Sequence, residues 1–139
     1  SKFFDVHDGL GVFVLHKSQI PTILITAKSS KTIKPRAKDM HVAEVFADIF
    51  PKTAVLDKIL TKYKVTLDQV CFMGDDLVDL SLMRKVGLPV AVANASSEIK
   101  EAALFITNHS GGRGAVREIA ELILKSQDKW KDVLRFYGA

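Results

Sequence analysis

The chain has 139 residues, of which 47% are hydrophobic and 26% are charged, a balance typical of one globular domain rather than a disordered segment. Its apolar runs are too short to span a membrane, and its formal charge of +4 comes from lysines that are scattered rather than clustered, so neither a membrane nor a nucleic acid is the expected partner. A single cysteine, Cys71, excludes an internal disulfide and favours a reducing compartment, the cytoplasm.

Short apolar runs alternate with amphipathic helical segments along the chain. Strands are predicted at residues 3–6, 22–26, 42–47, 70–73, 88–93 and 104–107, with helices at 8–17, 29–39, 53–64, 77–85, 96–103 and 115–125. One domain therefore covers residues 1–139, and residues 129–139 are expected to form its C-terminal tail. Nearly continuous apolar strands joined by helices predict an α/β fold, in which a mostly parallel sheet carries helices on both faces.

Ligands of such folds bind at the carboxyl ends of the strands, where the connecting loops meet. Four segments of this chain are expected there: Thr26-Ala27-Lys28, Phe50-Pro51-Lys52, Gly74-Asp75-Asp76 and Ala93-Asn94. We therefore expect the functional site at this edge of the sheet.

Three carboxylates, Asp75, Asp76 and Asp79, follow the apolar run 70–73 at close spacing. One reading is that Asp75 or Asp76 caps the helix that follows. A cap needs only one carboxylate, however, and three in close range repel each other unless a cation or strong donors compensate. Because Mg²⁺ prefers oxygen ligands and is commonly held by one or two carboxylates, metal binding is favoured over capping alone.

Thr26 and Lys52 are the polar residues expected at two other strand ends. Each has an ordinary reading, Thr26 as a β-branched residue that closes a strand and Lys52 as a solvated surface lysine. An ammonium at a helix N-terminus opposes the helix dipole, however, which favours a shared anion. A hydroxyl donor, a cation and a metal site on one edge suit phosphoryl transfer, in which positioning and charge neutralisation carry most of the catalysis.

The order Thr26, Lys52 and then the Gly-Asp-Asp-x-x-Asp run from Gly74 to Asp79 resembles motifs two, three and four of the haloacid-dehalogenase phosphohydrolases. A closer resemblance, to the 3-deoxy-D-manno-octulosonate 8-phosphate phosphatases, covers residues 3 to about 130. It is carried by the segments VHDGLG, IT, GDDLVD, MRKVGL and SGGRGAVRE, which begin at residues 6, 25, 74, 83 and 110. The resemblance implies a three-layer Rossmann-like fold and a Mg²⁺-dependent phosphatase that acts through an aspartyl-phosphate on a phosphorylated keto-sugar acid.

The same resemblance implies a role for each matching residue. Asp75 would be a direct Mg²⁺ ligand, while Asp76, also assigned to the metal site, and Asp79 would complete the acidic site and orient water and Lys52. Thr26 would hydrogen-bond the transferring phosphoryl group, and Lys52 would neutralise the aspartyl-phosphate. The substrate-binding positions implied in this way are His7, Ala27, Lys28, Arg36, Gly111, Gly112 and Arg113.

Family members are tetramers in which a neighbouring subunit finishes each active site, so a homotetramer is the expected assembly. Residues 110–114, the glycine-rich loop, would then serve either substrate binding or assembly. Without the resemblance, this segment is a flexible loop before a helix N-terminus, where backbone N–H groups can bind an anion.

The chain departs from the family pattern at two places. His7 stands where the family usually has Arg, and Ala27-Lys28 stand where it has Gly-Arg. Lysine keeps the positive charge but lacks the planar bidentate fork of arginine, which leaves the identity of the sugar substrate open.

The nucleophile motif of the family, an Asp-x-Asp pair on the first central strand, is missing from these residues. Asp8 does not replace it, because it is expected to cap its own helix. If the family sheet order holds, the missing strand lies between the strands at 22–26 and 70–73, where each unpaired backbone group would cost about 1 kcal/mol or more. We therefore expect this chain to be a fragment of a longer polypeptide that carries the nucleophile.

Two other functions stay open from the sequence. A non-catalytic tetramerisation module, similar to the C-terminal part of sialic-acid cytidylyltransferases, would fit the same fold. Lys52 and all three aspartates are retained here, however, which favours the enzyme. A nucleotide-binding regulatory domain is weakly supported, because the sequence has no G-x-G-x-x-G or Walker loop.

Overall fold

A computed structural model describes residues 6–26, 37–48 and 51–139 of the chain. Helices and strands alternate along it, as the sequence predicts. The strands are β1 (Ile23–Ile25), β2 (Glu44–Phe46), β3 (Cys71–Gly74), β4 (Leu88–Ala91) and β5 (Phe105–Ile106). The α-helices are α1 (Val6–Lys17), α2 (Leu56–Tyr63), α3 (Leu80–Met83), α4 (Ser97–Ala102), α5 (Ala115–Ser126) and α6 (Trp130–Phe136), and 3-10 turns cover Lys52–Val55, Leu67–Gln69 and Leu77–Asp79.

The strands form two parallel sheets. β1 pairs with β2, and Ile25 lies opposite Phe46. β4 lies between β3 and β5, so that Ala91 is paired with Gly74 on one side and with Ile106 on the other. Because all of these pairs are parallel, the carboxyl ends of the strands in each sheet lie at one edge. Within the described ranges no strand joins β1 to β3, and the strand that the sequence analysis places between them stays a prediction.

Two groups of buried apolar side chains form the core. The first surrounds the end of β4 and consists of Met83, Ala91, Val92, Ala95, Ile99 and Ala115. The second joins α1, α5 and α6 and consists of Val14, Leu15, Ala120, Leu124 and Val133. The last three residues of β4 are buried, which explains why the sequence of this strand is continuously apolar rather than alternating.

α1 and α5 approach each other closely at Gly11. A Cβ added at Gly11 would lie 2.8 Å from both the backbone N and the Cα of Arg117, nearer than any side chain allows. The absence of a side chain at this position therefore permits the close packing of the two helices.

The C-terminal segment contains a helix where the sequence predicted only a tail. Trp130, the first residue of α6, packs against the second core group, and Val133 is 8% exposed. Trp130, Val133 and Leu134 recur at helical spacing within an otherwise charged segment. This pattern is too short to predict a packed helix from the sequence alone, because its apolar residues are recognisable as a buried face only when the core against which they pack is known.

Part of the N-terminal half of the prediction lies outside the described residues. This applies to residues 3–5 of the predicted first strand and to residues 29–36 of the predicted helix 29–39. Val6, which the sequence assigned to that strand, is the first residue of α1, so the strand assignment of Val6 is wrong. No helix within the described ranges is long and apolar enough to cross a membrane.

Candidate active site

Asp79 is the centre of the acidic cluster that follows β3. It ends the 3-10 turn Leu77–Asp79 and is only 2% exposed. Its Oδ1 accepts a hydrogen bond from Nζ of Lys52 at 2.5 Å, and its Oδ2 accepts from the backbone N–H groups of Asp75 at 2.9 Å and Asp76 at 3.4 Å. A buried carboxylate with these donors on both oxygens is held in one orientation.

Gly74 makes room for this carboxylate at the end of β3. A Cβ added at Gly74 would lie 2.9 Å from Cβ of Asp79 and 3.1 Å from Sδ of Met83. A larger residue would therefore push the turn away from the strand end. The Gly-Asp pair in the sequence thus combines a residue small enough for this packing with the first carboxylate of the cluster.

Lys52 reaches the cluster from the first residue of the 3-10 turn that follows Pro51. The Lys52 side chain is 13% exposed and that of Asp79 is 3% exposed, so the ion pair is largely withdrawn from water and only weakly screened. Burial opposes the ionisation of Asp79, but the hydrogen bonds from Lys52 and from the backbone of Asp75 outweigh it and hold the pKa of Asp79 below its usual value. The structure therefore brings together two residues that the sequence placed on separate strand ends.

Asp75 presents an exposed carboxylate beside this ion pair. Partial desolvation, a hydrogen bond with Asp79 and the negative charges of Asp79 and Asp76 raise the pKa of Asp75, and the positive charge of Lys52 offsets them only in part. Among the described residues, Lys52 is the one cation seen in an ion pair with these carboxylates, so the cluster keeps an excess of negative charge. Oxygen donors with excess negative charge fit a hard divalent cation.

Asp75 and Asp76 are the candidate oxygen donors for a metal ion. No group of three or more His, Cys, Asp or Glu side chains in the described part of the chain is arranged to hold a metal ion. Mg²⁺ is compatible with so few protein ligands, because it usually keeps several waters and takes one or two carboxylates together with substrate phosphate.

Asp76 caps the turn that follows it. Its Oδ1 accepts from the backbone N–H of Leu77 at 2.7 Å. The Asp76 side chain also accepts from the backbone N–H of Asp79, and the N–H of Asp76 donates to the Asp79 carboxylate, which makes a reciprocal capping box. The capping alternative therefore accounts for the hydrogen bonds that the Asp76 side chain accepts from Leu77 and Asp79. The assignment of Asp76 to the metal site stays a prediction.

Thr26 follows the carboxyl end of β1, where its backbone N–H donates to the carbonyl oxygen of Phe46 at 2.9 Å. It is 8% exposed, so the structure places it at a buried strand end, and its contact with a phosphoryl group stays a prediction. Four other candidates lie outside the described part of the chain: the side chain of His7, and Ala27, Lys28 and Arg36.

The glycine-rich loop is attached to the carboxyl end of β4. The backbone N–H of Gly111 donates to Oδ1 of Asn94 at 3.1 Å, and Gly111 faces the side chain of Val92. Next to it, the backbone N–H of Ser96 donates to the carbonyl oxygen of Asp75 at 3.1 Å. The loop and the acidic cluster therefore lie at neighbouring strand ends of one sheet.

Two glycines shape this loop. Gly112 and Gly114 have φ values of +74° and +105°, which other residues rarely adopt. Arg113 lies between them and is exposed. The loop thus presents its one positive side chain to solvent, while Gly114 leads directly into α5.

Asp8 does not cap its own helix, so that sequence prediction is wrong. α1 already begins at Val6, and Oδ1 of the fully buried Asp8 accepts a hydrogen bond from the backbone N–H of Val116 at 3.0 Å. Asp8 therefore caps the N-terminus of α5. A separation of 108 residues explains why no local pattern reveals this contact.

Glu118 is a second residue whose role the sequence does not reveal. It binds the segment before the glycine-rich loop through four contacts to Asn108 and His109. Its signal in the sequence is its place in the segment SGGRGAVRE, which carries a family resemblance without indicating what the carboxylate holds.

Comparison with known proteins identifies a family and relatives that this chain resembles. Residues 14–119 match the family of haloacid dehalogenase-like hydrolases. The 3-deoxy-D-manno-octulosonate 8-phosphate phosphatase KdsC of Yersinia pestis is 38% identical over 128 residues, which are 92% of this chain and 68% of that protein. KdsC of Escherichia coli strain K12 is 35% identical over the same shares of the two chains.

The fold is shared with solved structures as well. The crystal structure of 3-deoxy-D-manno-octulosonate 8-phosphate phosphatase from Moraxella catarrhalis, in complex with a magnesium ion, a phosphate ion and a KDO molecule, is 34% identical with a TM-score of 0.92. The match covers 99% of this chain and 79% of that one, which confirms the predicted α/β fold. The chain belongs to the 3-deoxy-D-manno-octulosonate 8-phosphate phosphatase family of the haloacid dehalogenase-like hydrolases.

Proposed function

We propose that this protein is a Mg²⁺-dependent phosphatase that hydrolyses 3-deoxy-D-manno-octulosonate 8-phosphate, or a related keto-sugar acid phosphate, to the free sugar acid and phosphate. The observation that carries the proposal is the Lys52–Asp79 ion pair at 2.5 Å beside the exposed Asp75. A fixed cation next to oxygen donors for a metal suits phosphoryl transfer. The relatives that are named for this phosphatase, one of them bound to magnesium, phosphate and KDO, support the substrate class.

Lys52 neutralises negative charge on the phosphoryl group as it is transferred. Asp79 holds the ammonium in place before the substrate arrives, so little reorganisation is needed during the reaction. Because both side chains are nearly buried, the charge of Lys52 acts through a medium that screens it less than water does.

Asp75 is the residue that would hold Mg²⁺, with Asp76 and water as the other proposed oxygen donors. The effects that raise the pKa of Asp75 are opposed by a bound cation, since a nearby positive charge favours the ionised carboxylate. When bound, Mg²⁺ supplies charge stabilisation at the phosphate oxygens.

An aspartate on a strand between β1 and β3 is the proposed nucleophile. Its carboxylate would form a bond to phosphorus as the bond to the sugar oxygen breaks, and the second aspartate of the Asp-x-Asp pair would give that oxygen its proton. Water would then hydrolyse the aspartyl-phosphate to phosphate and the free aspartate. The printed sequence has no Asp-x-Asp pair, so this residue would come from another part of the polypeptide. The separation of the two sheets within the described residues supports a strand at this place, because buried strand edges without partners are costly. Thr26, which follows β1, would donate a hydrogen bond from its hydroxyl group to the phosphoryl group.

The anionic groups of the substrate would be met by Lys28 and Arg113 and by the backbone N–H groups of the glycine-rich loop. The exposure of Arg113 on a loop attached to the strand end that neighbours the acidic cluster supports this assignment, and the net charge of +4 favours an anionic substrate. The remaining proposed substrate contacts are His7, Ala27, Arg36, Gly111 and Gly112.

A homotetramer is the proposed assembly, with a neighbouring copy covering each site. Leu77 and Val78 lie between the site carboxylates and are 57% and 45% exposed, and adjacent exposed apolar side chains are typical of an interaction surface. Gel filtration with light scattering tests this: Leu77→Ser is expected to weaken the tetramer, and a wild-type monomer at micromolar concentration would contradict it.

The proposed location is the cytoplasm. The lone Cys71 supports it, because a chain without disulfides suits a reducing compartment. Cell fractionation with an antibody against the protein tests this, and recovery from an extracytoplasmic fraction would contradict it.

Phosphate release from 3-deoxy-D-manno-octulosonate 8-phosphate by the complete natural protein tests the activity. Turnover is expected with Mg²⁺, and it is expected to be lost on chelation and regained when Mg²⁺ is restored. Asp75→Asn is expected to lower kcat/KM at least about a hundredfold. Asp57→Asn, which changes an exposed carboxylate of α2, is the matched control. No Mg²⁺-dependent turnover, or full activity in Asp75→Asn, would refute the proposal.

A further inference from the structure

Glu118 binds the backbone of the segment that precedes its own helix. It lies in the first turn of α5, and its Oε1 accepts from the N–H of His109 at 3.0 Å and lies 2.8 Å from Nδ1 of the same residue. Both carboxylate oxygens lie 2.9 Å from the N–H of Asn108, which donates to them. The Glu118 side chain is 16% exposed, so these contacts converge on one largely buried carboxylate.

His109 is in turn attached to the end of β4. Its carbonyl oxygen accepts from the N–H of Ala93 at 3.3 Å and from Oγ1 of Thr107 at 2.5 Å. The same Thr107 oxygen accepts from the N–H of Ala93 at 3.1 Å. Glu118 is therefore connected to this strand end, directly before the point where Asn94 holds Gly111.

The charge of Glu118 strengthens these contacts. Burial opposes its ionisation, but the hydrogen bonds from the backbone of Asn108 and from the ring and backbone of His109 outweigh it and hold the pKa of Glu118 below its usual value. Hydrogen bonds to an ionised acceptor are stronger than neutral ones. They offset the conformational entropy that a glycine-rich segment loses when it is held in one conformation.

We propose that Glu118 is a positioning residue for substrate binding: by holding Asn108 and His109, it keeps the glycine-rich loop in the conformation in which Arg113 meets an anionic group of the substrate. Glu118 acts through the loop and does not touch the reacting atoms. This inference rests on the proposed function for the identity of the substrate, whereas the order of the loop is measurable without turnover.

Two measurements on one pair of variants test the inference. Glu118→Ala removes the acceptor, and Glu121→Ala is the matched control, because Glu121 lies on the same helix and only pairs with Lys125 at the surface, at 3.2 Å. Trypsin cleavage after the exposed Arg113, followed by mass spectrometry of the peptide that ends there, reports loop order. Steady-state kinetics of the complete protein with 3-deoxy-D-manno-octulosonate 8-phosphate reports substrate binding.

Glu118→Ala is expected to speed cleavage after Arg113 and to raise KM, each by about tenfold or more, with kcat changed less than about threefold. Glu121→Ala is expected to match the wild type in both. Glu118→Gln keeps one carbonyl acceptor, so changes of the same sign but smaller are expected from it; this variant carries the test if the alanine variant does not fold.

Equal cleavage rates in Glu118→Ala and Glu121→Ala would overturn the inference, and so would faster cleavage with an unchanged KM, or a raised KM without faster cleavage. Failure of the proposed function has a different signature, since a wild-type protein without turnover would refute the substrate assignment irrespective of the cleavage rates.

Discussion

Nζ of Lys52 lies 2.5 Å from Oδ1 of Asp79, and both side chains are almost withdrawn from solvent. The pair connects the turn before α2 to the turn after β3, and 27 residues separate its two members. Because Asp79 also accepts the backbone N–H of Asp75, the pair sets the position of the lysine relative to the candidate metal ligand. A change at Asp79 therefore affects both stability and the site.

Asp79→Asn is expected to lower kcat about a hundredfold, because Lys52 loses the carboxylate that orients it. It is also expected to lower the free energy of unfolding by about 3 kcal/mol, since it leaves a nearly buried ammonium without its ion-pair partner. Urea unfolding of Asp79→Asn, Lys52→Met and the double variant measures the coupling. Additive losses in the double variant would show that the two residues do not interact energetically.

The stability of the protein is expected to fall in acid partly through Glu118. The pKa of Glu118 is lowered from 4.5 in the folded state, so its contribution is fully present above about pH 4.5 and is lost as the pH falls through the lower folded-state pKa. Urea unfolding of Glu118→Gln is expected to show a shallower dependence on pH than the wild type below pH 4.5. Parallel curves for the two proteins over this range would contradict the assignment.

Asp8→Ala is expected to lower the free energy of unfolding by about 2 kcal/mol, because it removes a buried N-cap acceptor and leaves the N–H of Val116 unpaired. Asp8→Asn keeps an acceptor oxygen and is expected to cost less. Urea unfolding measures both, with Asp39→Ala, which changes an exposed carboxylate, as the control. If Asp8→Ala lowers the free energy of unfolding no more than the control does, the capping role of Asp8 is contradicted.

Cys71 is expected to react slowly with alkylating reagents in the folded protein. Burial raises the pKa of Cys71 from 9.0 to about 11, so the thiolate fraction at pH 8 is about a hundredfold smaller than for an ordinary thiol. Iodoacetamide labelling followed by mass spectrometry is expected to be slow in buffer and fast in denaturing urea. Equal rates under the two conditions would contradict the protection of this half-buried thiol.

Most of the strands and helices were predicted from patterns of residues that are close together in the sequence. The structure contains these elements because the formation of a helix or a strand depends mainly on such local residues. The β4 segment shows the limit of this reasoning: its apolar run indicated a buried strand, while its place between β3 and β5 was not readable from the run itself. α6 shows the opposite case, since Trp130 and Val133 become a recognisable helix face only against α1 and α5. Local periodicity therefore predicts whether a segment is a helix or a strand better than it predicts which elements lie next to that segment.

Residue types and order in the sequence determined which residues are candidates for the site, namely the carboxylates of the run from Gly74 to Asp79 and the lysine after Pro51. Only the tertiary structure decided what each one contacts: Asp79 pairs with Lys52 and Asp76 caps its own turn. The same holds for Asp8, whose partner lies 108 residues away. The physical reason is that a hydrogen bond depends on a distance and a direction in space, and for residues far apart in sequence both are set by strand order and helix packing rather than by the identity of adjacent residues.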